Sequence, residues 1–492
     1  MVNQIELSER IDKCAKEWGA AGAVAVYKDG KCYHKNFYGL ADREKNLPIT
    51  EESTYLLSFN SRFLMGLCIG KLIDDKKLKL EDKLDKYIPE YTHAPEITLK
   101  QLCLKQSGIP DFFNGEIMKA QQTDKTYQSL SDEKRNLIDR KIFTHPWTFG
   151  DAIAYVNGKE LTCVPGTEPT DDLDNMTETV FIREVIERAS KEKLADYVRT
   201  ELFAPLDIIC QYLKVNTKPY AVYHMTTYMN SEYEEDVRYS FVMNYAEAEK
   251  LLVAVLEKKL LSEKAWKAIT SPATFEQSIA FNTVSGFLSA RDFCYGNVGW
   301  SCNLYLDWDG KIGLLHLTNS ELIVRSANGN RLSQFRKEFR EEAAAAFVYP
   351  KNTKLVPFGK ANVWNTMELS IEEEQLEYMN NAQQAICIAY AFEHKLFVLM
   401  EGKRSIGLVA FSIDNKNEKF YIESVLIDKK YQHRGFGKIM MRKGLEYLKS
   451  KGCKYLTIGV NRFNNAAQKL YKSVGFTEKT VYEDFIEMEA YL

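Results

Sequence analysis

The string running from Tyr421 to Lys438, YIESVLIDKKYQHRGFGK, holds the residues best suited to chemistry. A β-type run ends at Ile427, a short polar turn follows, and Gly435 and Gly437 open a helical pattern. Glycine at such places lets the backbone approach a ligand closely and adopt angles closed to other residues. The unpaired amides of a helix start, with the positive end of the helix dipole, form an anion cradle. Arg434 and Lys438 add positive charge, so the segment suits a phosphate or pyrophosphate. A lone Gly-x-Gly also fits a basic turn before a surface helix. Other glycine-rich loops fail on detail: there is no Gly-Lys-Ser/Thr and no third glycine of a dinucleotide fold.

A second block, Asn464-Asn-Ala-Ala-Gln-Lys-Leu-Tyr-Lys-Ser-Val-Gly-Phe476, follows a predicted strand and forms a short helix ending at Gly475. Together the two blocks resemble the Gcn5-related N-acetyltransferase (GNAT) superfamily, whose Gln/Arg-x-x-Gly-x-Gly binds the pyrophosphate of acetyl-CoA. Here that motif is Gln432-His433-Arg434-Gly435-Phe436-Gly437. The Asn-x-x-Ala-x-x-Leu-Tyr block matches at Asn464, Ala467, Leu470 and Tyr471. The resemblance covers residues 363–492, and Gln375–Met379 looks most like spermine/spermidine-type bacterial acetyltransferases. It implies acetyl-CoA as co-substrate and no metal. An acceptor amine with a pKa of about 10 is mostly protonated at neutral pH. A carboxylate must take a proton, and Glu423, near the middle of the strand before the cradle, is the candidate general base. Its other reading is an ion-paired strand residue. The backbone of Val425, Leu426 and Ile427 resembles the splayed strand that pairs with pantetheine and polarises the thioester carbonyl. Tyr471 is the candidate acid for the departing thiolate, its other reading being a packed aromatic. His433 is expected to lie beside the phosphates at the surface.

These residues need elements to hold them. The chain has 492 residues, two or three domains by a prior of about 150 residues each. Beyond residue 362 the patterns give a helix at Glu372–Tyr390 and strands at Leu396–Glu401, Ile406–Ile413 and Lys419–Ile427. A helix at Gly435–Lys451, a strand at Tyr455–Val460, a helix at Asn464–Val474 and a strand near Tyr482–Tyr491 follow. The first part opens with a hairpin, Ala23–Tyr27 and Lys31–Asn36 around Asp29-Gly30. It closes with another, Ser301–Trp308 and Lys311–Thr318 around Asp309-Gly310, and the Ala-rich helix Phe335–Phe347. This predicts an α+β architecture, an antiparallel sheet faced by helices with an α-helical insert, then the C-terminal α/β domain with a mixed, splayed sheet. Residues 349–362 carry two prolines without a clean period and are expected as a linker between domains 1–348 and 363–492.

The first domain also bears a resemblance. Gly22–Pro48, Leu67–Tyr91, Ile97–Pro110, Pro165–Thr167, Leu194–Leu206 and Gly313–Ser320 resemble the serine β-lactamase-like family of class C enzymes and penicillin-binding-protein-related esterases. That family needs Ser-x-x-Lys, a Tyr-x-Asn-like motif and a Lys/His-x-Gly strand. Anchored on Leu67–Leu80, the first motif falls at Phe59-Asn60-Ser61-Arg62, with Phe for the nucleophile and Arg for its base. An arginine stays protonated and cannot serve as a base. A one-residue slip offers Ser58, but then Ser61 replaces the lysine. The other motifs fall at Asp171-Asp172-Leu173 and Asn297-Val298-Gly299, without the required side chains. The expectation is a pseudo-hydrolase serving binding, regulation or dimerisation.

Composition bounds the rest. Net charge is −3, which argues against bulk nucleic-acid binding. No run reaches 18 apolar residues and no secretory leader is evident, so a cytoplasmic protein without membrane spans is expected. Ten scattered cysteines without a Cys-x-x-Cys pair imply reduced, packed thiols. The leading reading is an N-acetyltransferase acting on a primary amine of a small molecule, polyamine- or aminoglycoside-like, with a homodimer as a further expectation. Its rivals are a serine hydrolase with a displaced nucleophile and a CoA-responsive sensor without turnover.

Overall fold

The computed structural model describes residues 4–58, 61–112, 127, 129–131, 134, 148–167, 175–210, 240–271, 278–284, 287–291, 301–319, 329–348, 350–402, 404–414 and 417–492. The chain divides into two compact units, Met1–Ala343 and Ala344–Leu492.

In the first unit, helix α1 (Gln4–Trp18) precedes β1 (Gly22–Lys28) and β2 (Lys31–Tyr38), which turn about Asp29 and Gly30 at φ +51° and +74°. These positive angles are what the Asp-Gly pair supplies cheaply. The strand Thr54–Ser58 (β3) leads into α2 (Arg62–Asp74), whose Phe63, Leu64, Leu67 and Leu72 are buried. Further along come α3 (Met176–Ser190), β4 (Ser240–Asn244), α4 (Tyr245–Leu256), β5 (Asn282–Val284), β6 (Phe287–Arg291), β7 (Ser301–Asp307) and β8 (Ile312–Thr318). Six strands form an antiparallel sheet in the order β2-β1-β8-β7-β6-β5, while β3 and β4 pair separately. The first strand therefore lies against the last, Ala23 opposite Leu317. One apolar core joins this sheet to α2, α3 and α4.

Helix α5 (Gly329–Ala346) follows, and the second unit begins within its last turn. Its strands are β9 (Lys354–Pro357), β10 (Lys395–Glu401), β11 (Arg404–Asp414), β12 (Lys419–Ile427), β13 (Tyr455–Asn461), β14 (Thr477–Val481) and β15 (Phe485–Tyr491), in the order β9-β10-β11-β12-β13-β15-β14. All pairs are antiparallel except β12 with β13. Helices α6 (Ala382–Ala391), α7 (Phe436–Ser450) and α8 (Asn465–Lys472) complete the unit. Tyr447 of α7 lies 4.5 Å from Phe397 and 6.0 Å from Phe411, centroid to centroid. Such aromatic pairs add about 0.5–1.5 kcal/mol each beyond their burial and fix α7 on the sheet.

Two expectations change. Residues 349–362 hold β9, which pairs with β10; an edge strand tolerates Pro357 because its missing N–H breaks no ladder between two neighbours. The helix expected over Glu372–Tyr390 is broken. Residues Glu373–Glu377 form one tight turn, and Asn381 starts α6 afresh by accepting the Gln384 N–H at 2.8 Å in a capping box. Nine described cysteines are free thiols, Cys294 lying outside the described residues. No helix among the described residues is long and apolar enough to cross a membrane.

Candidate active site

The cradle begins where β12 ends. Asp428 is buried and accepts from the Lys430 N–H at 3.0 Å and the Ser370 N–H at 2.9 Å, fixing the turn from both sides. His433 and Gly435 then take left-handed angles, φ +59° and +83°. Alternating handedness turns successive amides the same way and makes an anion-binding concavity. Gly435 starts α7 with no side-chain cap, and the first helical bond runs from Ile439 N–H to Gly435 O at 3.2 Å. Among the described residues, eight other α-helices, starting at Arg62, Leu99, Phe149, Met176, Tyr245, Glu263, Ala382 and Asn465, are each capped by a Ser, Thr or Asn side chain, and the short helices at Leu194 and Val363, like α7, have none. At α7 the amides of Phe436, Gly437 and Lys438 precede the first helical bond, which is what an incoming phosphate needs.

Two side chains of the motif have other work. Gln432 exchanges hydrogen bonds with Gln375 and also donates to Ile427 O at 2.9 Å. Arg434, expected to add charge for the phosphates, donates to the carbonyls of Ala345, Ala346 (3.3 Å) and Val348 (2.8 Å). A guanidinium fits there because the last carbonyls of a helix have no helical partner and carry its negative pole. Phe436 is a core side chain, 5.6 Å from the Tyr431 ring, so only its backbone faces the cradle. His433 is exposed and Lys438 half-buried.

Strands β12 and β13 pair only at Tyr421 with Thr457 and Ile422 with Ile458, although they run on to Ile427 and Asn461. On its other edge β12 stays paired with β11, Val425 opposite Val409 and Ile427 opposite Gly407. Beyond Ile422 the edge of β12 toward β13 is thus parted from its neighbour, over the residues predicted to meet pantetheine. Leu426 itself is buried, among Leu369, Ala385 and Leu408. Glu423 sits in a bulge: Ala410 faces Ser424 and Phe411 faces Ile422, leaving Glu423 without a partner across β11. Its side chain is partly exposed and meets the His394 Nε2 at 3.7 Å.

Tyr471 is buried on α8, and burial, then the neighbouring Tyr421, holds its phenol above the usual range. A phenol so held keeps its proton, as an acid must. Tyr421 is raised by burial, opposed by a backbone hydrogen bond from Gly459 and reinforced by Glu423. Asn464 caps α8 by accepting the Ala467 N–H at 2.9 Å, a use that shapes the helix start. Sequence reasoning missed Tyr421, His394 and Asp428, and marked Gln375 only for its resemblance and not for its contact with Gln432. Tyr421 lay two residues before Glu423, a spacing that would have flagged it; His394 arrives from a distant segment and gave no local signal.

In the first unit, Ser61 is the N-cap of α2: it is buried and accepts the Leu64 N–H at 3.3 Å. Arg62 donates to Ser278 O at 3.2 Å. Phe59, Asn60, the side chain of Ser58, Asp171–Leu173 and Asn297–Gly299 lie outside the described residues. Elsewhere in this unit, buried Ser107 donates to Glu178, whose carboxyl burial pushes up to about 7. Among the described residues no three His, Cys, Asp or Glu side chains gather as a metal site.

Residues 8–334 match the family described as Beta-lactamase, and residues 333–476 the one described as Acetyltransferase (GNAT) family. Teichoic acid D-alanine hydrolase of Staphylococcus aureus is 28% identical over 148 residues, 29% of this chain and 35% of the relative. The chain thus spans about a third of the length of the curated relatives it matches. D-amino acid amidase of Ochrobactrum anthropi SV3, solved with L-phenylalanine, aligns at 16% identity and TM-score 0.51, covering 70% of this chain and 99% of that one. A penicillin binding protein from Bacillus halodurans aligns at 13% identity and TM-score 0.49, covering 66% and 99%.

Proposed function

The chain belongs to the beta-lactamase family and carries a GNAT acetyltransferase domain behind it; on that premise we propose that the second unit moves an acetyl group from acetyl-CoA to a primary amine of a small molecule, polyamine- or aminoglycoside-like. The observation that carries this reading is the parting of β12 from β13 beside a helix start without a side-chain cap. Acetyl-CoA supplies the activated acyl group when bound. The amides of Phe436, Gly437 and Lys438 hold its pyrophosphate, and the open edge of Val425–Ile427 receives the pantetheine arm and polarises the carbonyl. Glu423 takes the proton of the ammonium, directly or through water, and Tyr471 returns one to the thiolate. The exposed acidic group Glu372, Glu373, Glu374 and Glu377 supports a cationic acceptor, although such residues also make an ordinary solvated face.

Calorimetry with acetyl-CoA, followed by thiol release across a panel of amines, tests this. Heat of binding with turnover on one amine class is the expected result. Binding without turnover on any amine favours a sensor, and no binding removes the transferase reading.

For the first unit the proposed role is binding, regulation or dimerisation without hydrolysis. Support comes from Arg62 standing at the lysine position, held against Ser278 O, and from Ser61 committed to capping α2. Fluorophosphonate and penicillin probes should leave the protein unlabelled; a label on Ser58 or Ser61 would overturn this and make the chain a bifunctional enzyme.

A further inference from the structure

Glu423 has a neighbour that no motif announces. His394 stands between α6 and β10, 29 residues before Glu423, and its N–H donates to Ala389 O at 2.8 Å, which fixes its backbone at the end of the helix. Its ring stacks on Phe392, 5.8 Å between centroids and 22° between planes. The side chain is 11% exposed against 30% for Glu423, and Nε2 lies 3.7 Å from Glu423 Oε1. Nδ1 is buried and has no hydrogen-bond partner among the described residues.

That last fact assigns the proton. A buried N–H without an acceptor carries the full desolvation penalty of an unmet donor, and a bare Nε2 would set its lone pair against the Glu423 carboxylate, so both counts disfavour the Nδ1–H tautomer. The ring's proton therefore belongs on Nε2, the nitrogen that faces the carboxylate. An Nε2–H within 3.7 Å of Oε1 leaves Oε2 as the oxygen that meets an acceptor amine. The bulge matters here too, since it releases Glu423 from cross-strand pairing and lets its side chain lean toward β10.

We infer that His394 is a positioning residue for Glu423: it holds one carboxylate oxygen so that the other receives the proton of the acceptor amine. The N–H bond of the ammonium breaks, an O–H bond forms on Glu423, and the freed lone pair forms the C–N bond to the acetyl carbonyl as the C–S bond breaks and the thiolate leaves with a proton from Tyr471. His394 keeps its own proton throughout. The inference rests on Glu423 being the base.

Four proteins test it, Glu423→Gln, His394→Phe, His394→Gln and the double variant Glu423→Gln/His394→Phe, assayed with acetyl-CoA and spermidine or the fastest amine of the panel. His394→Phe should lower kcat about 10- to 100-fold, the scale of a misplacement of about 1 Å, with the acetyl-CoA Kd unchanged. His394→Gln, whose amide can still donate, should recover part of that loss, which a space-filling role for the ring would not allow. The double variant should be no slower than Glu423→Gln alone. A His394→Phe protein at the full rate, no recovery by His394→Gln, or a double variant showing the product of both losses overturns the inference. Should Glu423→Gln itself run at the full rate, the base assignment fails, and that outcome is distinct from failure at His394 alone.

Discussion

Gln432 and Gln375 clasp each other: Gln432 Nε2 donates to Gln375 Oε1 at 2.9 Å, and Gln375 Nε2 donates back to Gln432 Oε1 at 3.2 Å. The most recognisable polar side chain of the cradle motif therefore ties the turn Glu373–Glu377 to the end of β12. Gln375→Ala and Gln432→Ala should raise the acceptor KM together and change the acetyl-CoA Kd by less than about tenfold, since each lost hydrogen bond is worth about 0.5–1.5 kcal/mol. Steady-state kinetics beside calorimetry on both variants checks this. A large loss of acetyl-CoA affinity confined to Gln432→Ala would show that its side chain holds the ligand directly.

At the start of α7 the two glycines fail for different reasons. Gly435 has φ +83° with open space around a would-be Cβ. Gly435→Ala should thus cost about 1–2 kcal/mol through left-handed strain alone. A Cβ at Gly437 would meet Leu470 Cδ2 at 3.1 Å, a flexible contact, so Gly437→Ala should fold nearly normally. Gly437→Asp adds a negative charge beside the pyrophosphate and should weaken acetyl-CoA by roughly 3 kcal/mol, about two powers of ten. Melting curves and calorimetry separate the effects.

Arg434→Ala should behave as a stability variant. It strips the donors from the carbonyls of Ala345, Ala346 and Val348, at a cost of about 1.5–3 kcal/mol for each well-made charged hydrogen bond and less than the sum for all three. Arg434→Lys should not restore the melting temperature, because one ammonium cannot span three carbonyls as a planar fork does. The acetyl-CoA Kd of the folded protein should hold within a few-fold.

Tyr471→Phe should lower kcat by about 10²-fold or more while leaving acetyl-CoA binding intact, as loss of a general acid does. Equal losses of turnover and affinity would identify a packing role for the ring instead.

Stability should fall with rising pH because of Glu178. Its folded-state pKa, about 7, lies above the ordinary 4.5, so the folded protein binds the extra proton. That contribution is fully present below pH ~4.5 and is lost as pH climbs through ~7, roughly 3 kcal/mol in all. Glu178→Gln should therefore flatten the denaturation midpoint between pH 5 and 8 and be relatively more stable at pH 8. A midpoint with the same slope in both proteins would refute the assignment.

Much of the fold was legible in the sequence because its signals are local. Asp29-Gly30 marked a hairpin and Gly435 a helix start, since each carries a backbone requirement that few residues meet, and Asp309-Gly310 marked the second hairpin although its left-handed angle falls on Lys311 at φ +52°. The break before Asn381 was missed because apolar spacing continued across it, and only the capping box reveals the restart. Strand β14 escaped for a similar reason: Thr477–Val481 is mostly exposed and offers little alternation. Within the site, Glu423 could be placed on its strand but its bulge could not, because a bulge exists only relative to the partner strand. The roles of Arg434 and Gln432 were likewise hidden, their partners lying 86 and 57 residues away.

The core that surrounds Phe436 and Tyr471 also contains Ala345 and Val348. A gene fragment beginning at codon 363 would omit both, together with the edge strand Lys354–Pro357 and the carbonyls of Ala345, Ala346 and Val348 that Arg434 engages. An autonomous transferase has to be cut upstream, inside the final turn of the helix that closes the first unit. Recombination that swaps these units between proteins must therefore cross over near codon 343, within a helix, and not in the proline-bearing stretch where a splice would look easiest.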